Sequence, residues 1–302
     1  MVKCGKMIAN LRKVKKLTIS ELTGNRIHRS TYERFVKGDT KLSVNNLIYM
    51  LNQLHVNFDE FMRFSNDDAY RDIIDYRHFV ERFEQAILLE DTVKLHHLGQ
   101  EVATYRQHIA DDDHLYYHLL ILIDANYAML CHQSFNKNHV AIVNDYLLRC
   151  EAWTSYELFL FDNIFFTMKG DVVKALLLRI LRHLDDPEAT LASQRERVHI
   201  ILRIITVCIL HKKLSIAQTL LIQLNNTLNI WSDAYHLLAE ELCLDFLNDI
   251  IEMINGHAEY ADAVLNTMNT LKHLDNKLYE SACQRYLDQV LTIYHLPATC
   301  SI

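Results

Sequence analysis

The residues whose types and spacing could do chemistry are concentrated in one stretch, TISELTGNRIHRSTYERFVKG, residues 18–38. Ser30, Arg34 and Lys37 recur at i, i+4 and i+7, which places them on one helical face, with Arg29 and Glu33 flanking them. Arg bonds guanine edges or phosphates, whereas Ser and Lys more often hold the nucleic-acid backbone. A carboxylate such as Glu33 repels phosphate but accepts from cytosine N4. This is the chemistry of a helix that reads duplex DNA in the major groove. The candidate DNA-contacting set is Lys13, Lys15, Thr18, Arg29, Ser30, Thr31, Glu33, Arg34 and Lys37.

Five short helices are needed to hold that face. The first is expected from about Lys6 to Lys16, with Met7, Leu11 and Val14 as its core stripe and Arg12, Lys13, Lys15 and Lys16 around the other faces. Thr18 and Glu21 have the spacing of a capping box for the second, with Leu17 and Leu22 in the staple positions. Gly24-Asn25 supplies a turn that tolerates positive φ. The third helix spans about His28 to Lys37, points Ile27, Tyr32 and Phe35 inward, and stops at Gly38. A fourth, Ser43 to Leu54, turns Leu47, Leu51 and Leu54 inward, and a fifth begins near Asn57. The plainer alternative is a small helical bundle with solvated basic faces.

Charge separates this head from the rest. Residues 1–64 hold 12 Lys/Arg against 5 Asp/Glu, and the remaining residues hold 19 against 33. A basic head fits a polyanion, and an acidic body does not. With only 6 Gly and 2 Pro in 302 residues, and apolar positions recurring at helical spacing, the chain reads as all-α. The 7 Cys follow no CxxC spacing, which fits reduced thiols. The N-terminus lacks an extended apolar run, and no apolar stretch approaches the ~20 residues that span a bilayer. A cytoplasmic protein without membrane contact is expected.

The expected domain boundary lies at Ser65-Asn66-Asp67-Asp68, giving domains 1–64 and 65–302. Beyond it, eleven amphipathic helices are expected to start near 68, 91, 113, 138, 154, 171, 195, 215, 232, 258 and 278. Alternate starts repeat about every 40 residues, the spacing of an α-solenoid of tetratricopeptide-like helix pairs. A closed helical bundle is the alternative. Catalytic scaffolds are missing: the sequence has no HExxH, GxxxxGK[ST], GxSxG or GxGxxG. His114 and His118 after Asp111-Asp112-Asp113 have the spacing of a metal site, but the carboxylates are more simply a favourable helix N-terminus. No enzyme activity, metal or other cofactor is expected.

Two blocks carry a family resemblance. Residues 7–61 resemble the XRE-type helix-turn-helix, and STYERFVKG at 30–38 followed by Leu47, Leu51, Leu54, Phe58 and Phe61 is similar to Rgg/GadR/MutR transcriptional regulators. Arg34, Phe35 and Gly38 match that pattern, whereas Glu33, Val36 and Lys37 depart from it. The segment DYLLRCEAWTSYELFLFDN, residues 145–163, resembles the central block of the same regulators. The resemblance implies a tetratricopeptide-like body that dimerises and receives a short imported peptide pheromone, as in quorum sensing. Promoter DNA, a signalling peptide, a second copy of the chain and RNA polymerase are the partners considered; a body that docks a partner protein instead of a free peptide is the alternative. Polar residues inside apolar helical stretches are the candidate peptide-binding set: Asn126, Arg149, Tyr156, Asn163 and Arg203. Each also has an ordinary reading as a partner within the core, and Arg203 would then need a carboxylate inside the fold.

Overall fold

The computed structural model describes residues 2–64, 68–108, 114–182, 184, 191–231, 237–274 and 277–297. Among them are sixteen α-helices, a 3-10 turn at Phe165–Thr167 and no strand, so the chain is all-α, as its periodicity requires.

The head consists of α1 (Val2–Val14), α2 (Ile19–Thr23), α3 (Arg29–Lys37), α4 (Val44–Gln53) and α5 (Phe58–Phe64). Ile8, Leu22, Ile27, Tyr32, Phe35, Met50, Leu51, Leu54 and Phe61 form its core. The capping box forms as expected: Glu21 N donates to Thr18 Oγ1 at 3.1 Å, and Thr18 N donates to Glu21 Oε2 at 2.7 Å. These bonds satisfy backbone donors that the start of a helix leaves open. At the turn, Gly24 has φ 51° and any Cβ there would lie 2.3 Å from Tyr49 Oη. The positive φ favours glycine at this position, whereas the Tyr49 hydroxyl sits at the end of a side chain that can turn aside.

One core assignment needs correcting. Val14 is 71% exposed, and Ile8 takes the buried place instead. The cause is Gly5, whose absent side chain lets α1 approach the backbone of α3: a Cβ on Gly5 would lie 2.3 Å from Phe35 O. That contact fixes the rotation of α1, so Gly5, Ile8 and Arg12 face inward and Val14 falls on the opposite side. Arg12 is thereby drawn into the scaffold, with Nε donating to Tyr32 Oη at 3.3 Å.

The chain divides into two compact units at residues 81/82, within α6 (Asp68–Leu88). Asp68 opens that helix; residues 65–67 of the expected boundary lie outside the described residues. Ten helices follow: α7 (Thr92–Arg106), α8 (His114–Leu130), α9 (Lys137–Arg149), α10 (Ser155–Asp162), α11 (Gly170–Arg182), α12 (Leu191–Leu210), α13 (Leu214–Trp231), α14 (Leu238–Ile254), α15 (Tyr260–His273) and α16 (Lys277–Tyr294). Side chains set their starts. Asp91 accepts from Lys94 N at 3.0 Å, Asn136 accepts from Asn138 N at 3.1 Å, and Thr154 with Glu157 forms a second capping box.

Consecutive helices pack as pairs, α7 on α8, α12 on α13 and α14 on α15, while α10 packs on α12 and α12 on α14. Contact with the neighbour and with the next but one is the packing of an α-solenoid. The last helix, α16, reaches back across the body. Tyr294 Oη donates to Ile209 O at 2.7 Å and Tyr286 Oη to Thr206 O at 3.4 Å, both near the end of α12. Arg285 donates to Leu88 O, the last carbonyl of α6, and lies 3.8 Å from Glu90. Helix ends leave such carbonyls without intrahelical donors, so α16 supplies them from far along the sequence.

Candidate nucleic-acid interface and sensing cluster

The nine head candidates lie on or just past α1, at the α2 cap and on α3. Eight are exposed and Thr31 is half-buried, while Tyr32 and Phe35 of the same helix are buried. Gly38 ends α3 in the left-handed conformation with φ 87°, as its sequence position requires. Not every candidate is free to contact a ligand. Thr18 Oγ1 accepts the α2 cap bond, Lys15 Nζ lies 3.5 Å from His55 O, and Arg29 Nε donates to Glu33 Oε1 at 2.8 Å. A concavity of about 590 Å³ opens beside the start of α3, lined in part by Thr18, Ser20, Asn25, His28 and Arg29. No helical spacing links Ser20, Asn25 and His28 in the sequence; the turn brings them together beside α3.

The body candidates behave differently. Asn126 on α8 is fully buried, and its Nδ2 donates to Leu122 O and to Asn163 O, each at 2.8 Å. Asn163, just past α10, donates through Nδ2 to Phe159 O at 2.9 Å and accepts from Arg203 Nη1 at 3.1 Å. The same Nη1 donates to Asp162 Oδ2 at 2.9 Å. Asn126, Asn163 and Arg203 are thus brought into one chain of bonds across α8, α10 and α12, and Asp162 is the carboxylate that Arg203 requires. Asn126 Oδ1 and Asp162 Oδ1 are buried and find no hydrogen-bond partner among the described residues.

Tyr156 belongs to an adjacent cluster. Its Oη lies 2.7 Å from His118 Nδ1, and the two rings stack at 15°. Burial, then His114, pushes the His118 pKa down to about 4, so the ring is neutral at pH 7. Beside it, Tyr146 Oη donates to Glu157 Oε1 at 2.5 Å. Burial raises the Glu157 pKa, but hydrogen bonds from Tyr146 and Thr154 outweigh it and hold the carboxyl below its ordinary value. Arg149 stands apart, exposed at the end of α9 with Nε donating to Asp145 O at 3.1 Å. Residues 111–113, part of the metal-site spacing considered in the sequence, lie outside the described residues. Among the described residues no three His, Cys, Asp or Glu side chains converge as metal ligands.

Buried polar groups that no motif flagged complete the picture. Glu240 on α14 is buried and held from α12 by Arg195 Nε at 3.0 Å and His199 Nε2 at 3.3 Å. Two grooves of about 330 and 320 Å³ run along consecutive helices, α7 with α8 and α13 with α14. The second is lined by Gln218, Asn225, Asp245 and Asn248 among others.

Residues 100–294 match the family model described as the C-terminal domain of the HTH-type transcriptional regulator Rgg. The chain belongs to the Rgg family. Solved structures of the same fold extend over nearly the whole chain. A protein of Listeria monocytogenes EGD-e described as a candidate transcriptional regulator has TM-score 0.78 at 18% identity, covering 98% of this chain and 99% of its own. The SHP pheromone receptor Rgg2 of Streptococcus dysgalactiae gives 0.69 at 17%, covering 94% and 99%. PrgX in complex with cCF10 gives 0.68 at 13%, covering 97% and 94%.

Proposed function

We propose that this Rgg-family chain is a cytoplasmic transcriptional regulator in which residues 1–64 bind promoter DNA and residues 65–302 dimerise and receive a short signalling peptide. The observation that carries the reading is the bond chain from Asn126 through Asn163 to Arg203 and Asp162. Amides and a guanidinium are the groups that hold an extended peptide backbone or its carboxylate. Here they are satisfied by one another, apart from two buried oxygens. A peptide that offers replacement donors and acceptors would favour a second arrangement of α8, α10 and α12, which is a population shift. Structural relatives that are pheromone receptors support the same assignment.

Two heads in a dimer would read half-sites about one helical turn apart, ~10 base pairs. The test is footprinting of the full-length protein on the promoter of its own gene, with and without synthetic peptides encoded beside it. Protection of paired half-sites whose occupancy or pattern responds to one peptide supports the reading. No protection, and no peptide that binds the protein, overturns it. Protection that responds to a partner protein and to no peptide replaces the sensing half with a docking scaffold.

A further inference from the structure

Glu33 is the single acidic residue of α3, and it flanks the centre of the exposed side. With about 3.6 residues per turn, Tyr32 and Phe35 mark the buried side of the helix. Opposite them fall Ser30 and Lys37, with Glu33 and Arg34 on either side and Arg29 beyond Glu33. A carboxylate on a surface that approaches phosphates weakens binding unless a cation offsets its charge and a donor faces it.

The cation is present. Arg29 Nε donates to Glu33 Oε1 at 2.8 Å, one helical turn away. This bond engages only the Nε edge of the guanidinium and one carboxylate oxygen. Both Nη groups and Oε2 lie outside it. The pair therefore offers donors and then an acceptor in sequence. The major-groove edge of a G·C pair offers the complement, with guanine N7 and O6 accepting and cytosine N4 donating. Arg29 is also the first residue of α3, and N-terminal residues of a recognition helix are those that reach base edges.

We propose that Arg29 and Glu33 form one composite reader of a G·C pair: the Nη groups of Arg29 bond guanine, Oε2 of Glu33 accepts from cytosine N4, and the salt bridge fixes their spacing. The proposal rests on α3 being the DNA-reading helix. An exposed ion pair adds little stability to a helix on its own, so its consequence is in base choice.

The experiment is selection of randomised duplexes by the full-length protein and by Glu33→Gln, Glu33→Ala, Arg29→Ala and the Arg29→Ala/Glu33→Ala double variant. The wild type is expected to enrich one G·C pair per half-site. Glu33→Ala is expected to lose roughly tenfold discrimination at that pair, and Glu33→Gln to shift it toward adenine. The double variant is expected to discriminate there no worse than Arg29→Ala alone. If both Glu33 variants strengthen binding to every duplex by one factor with base preference unchanged, the composite reader is overturned and Glu33 is only a repulsive charge. A wild type that selects no sequence fails one step earlier, at the assignment of α3.

Discussion

The two halves of this protein hold their polar candidates in opposite ways. On the head, Ser30, Arg34 and Lys37 project from a scaffold fixed by Gly5, a capping box and a buried aromatic pair. In the body, Asn126 and Asn163 are buried, and Arg203 is bonded to Asp162 and Asn163. A surface already in position binds without rearrangement of its own core. A cluster whose groups satisfy one another must exchange those bonds before a ligand can enter, and that exchange couples binding to shape. The head candidates stand exposed on a fixed scaffold, and Asn126, Asn163 and Arg203 of the body are bonded to one another.

The strongest way to break the comparison is at Gly5. Gly5→Val would push a side chain into the Phe35 carbonyl, where the obstacle is backbone and cannot turn aside. The expected cost is about 3 kcal/mol or more, borne by the head alone. Sequence-specific DNA binding should disappear while thermal unfolding of the body stays in place; DNA binding retained at wild-type strength would show that the α1–α3 approach is not needed.

Acid should act on the body. Because the folded-state pKa of His118, about 4, lies below its ordinary 6.5, the unfolded chain takes up the proton first. The contribution of neutral His118 is fully present above pH ~6.5 and is lost as pH falls toward 4, with a ceiling of about 3 kcal/mol. Urea unfolding followed from pH 7 to pH 4.5 should show a smaller loss for His118→Gln than for the wild type. Parallel curves would remove His118 as the cause.

The smallest effects come from a matched pair of substitutions. Asn163→Ala deletes the acceptor of Arg203 and a donor to Phe159 O, and should destabilise the body by about 1–3 kcal/mol with no ligand present. Arg34→Ala removes an exposed side chain and should change unfolding by less than about 0.5 kcal/mol while weakening DNA binding. If calorimetry finds the two equal in stability, the contrast between projected and buried candidates fails.

Much of this was legible in the sequence because it is local. Thr18 and Glu21 stand three residues apart, Gly38 ends a helix that needs a left-handed residue, and the helix starts expected near 91 and 171 fall at α7 and α11. Each depends on spacing within a turn or two of helix. The rotation of α1 was not legible, since periodicity gives a stripe but not the partner that the stripe meets, and Gly5 becomes a contact only against α3. The partner of Arg203 was likewise hidden: Asp162 lies 41 residues earlier and enters the cluster through solenoid packing. His118, read as a possible metal ligand from its spacing to His114, turns out to face Tyr156 from 38 residues away. Local grammar gives elements, and the pairing of distant polar groups requires the fold.

The reach of α16 back to α6 also has a consequence for synthesis. Arg285 meets Leu88 across 197 residues of intervening chain, and Tyr294 meets Ile209 across 85. Contacts of such separation form only after a large loop has closed. Domains fold from the N-terminus as the ribosome delivers them, so the helix-turn-helix head can form while the end of α6 still lacks its last donor. The body is fastened only once α16, made long after α6, has been delivered.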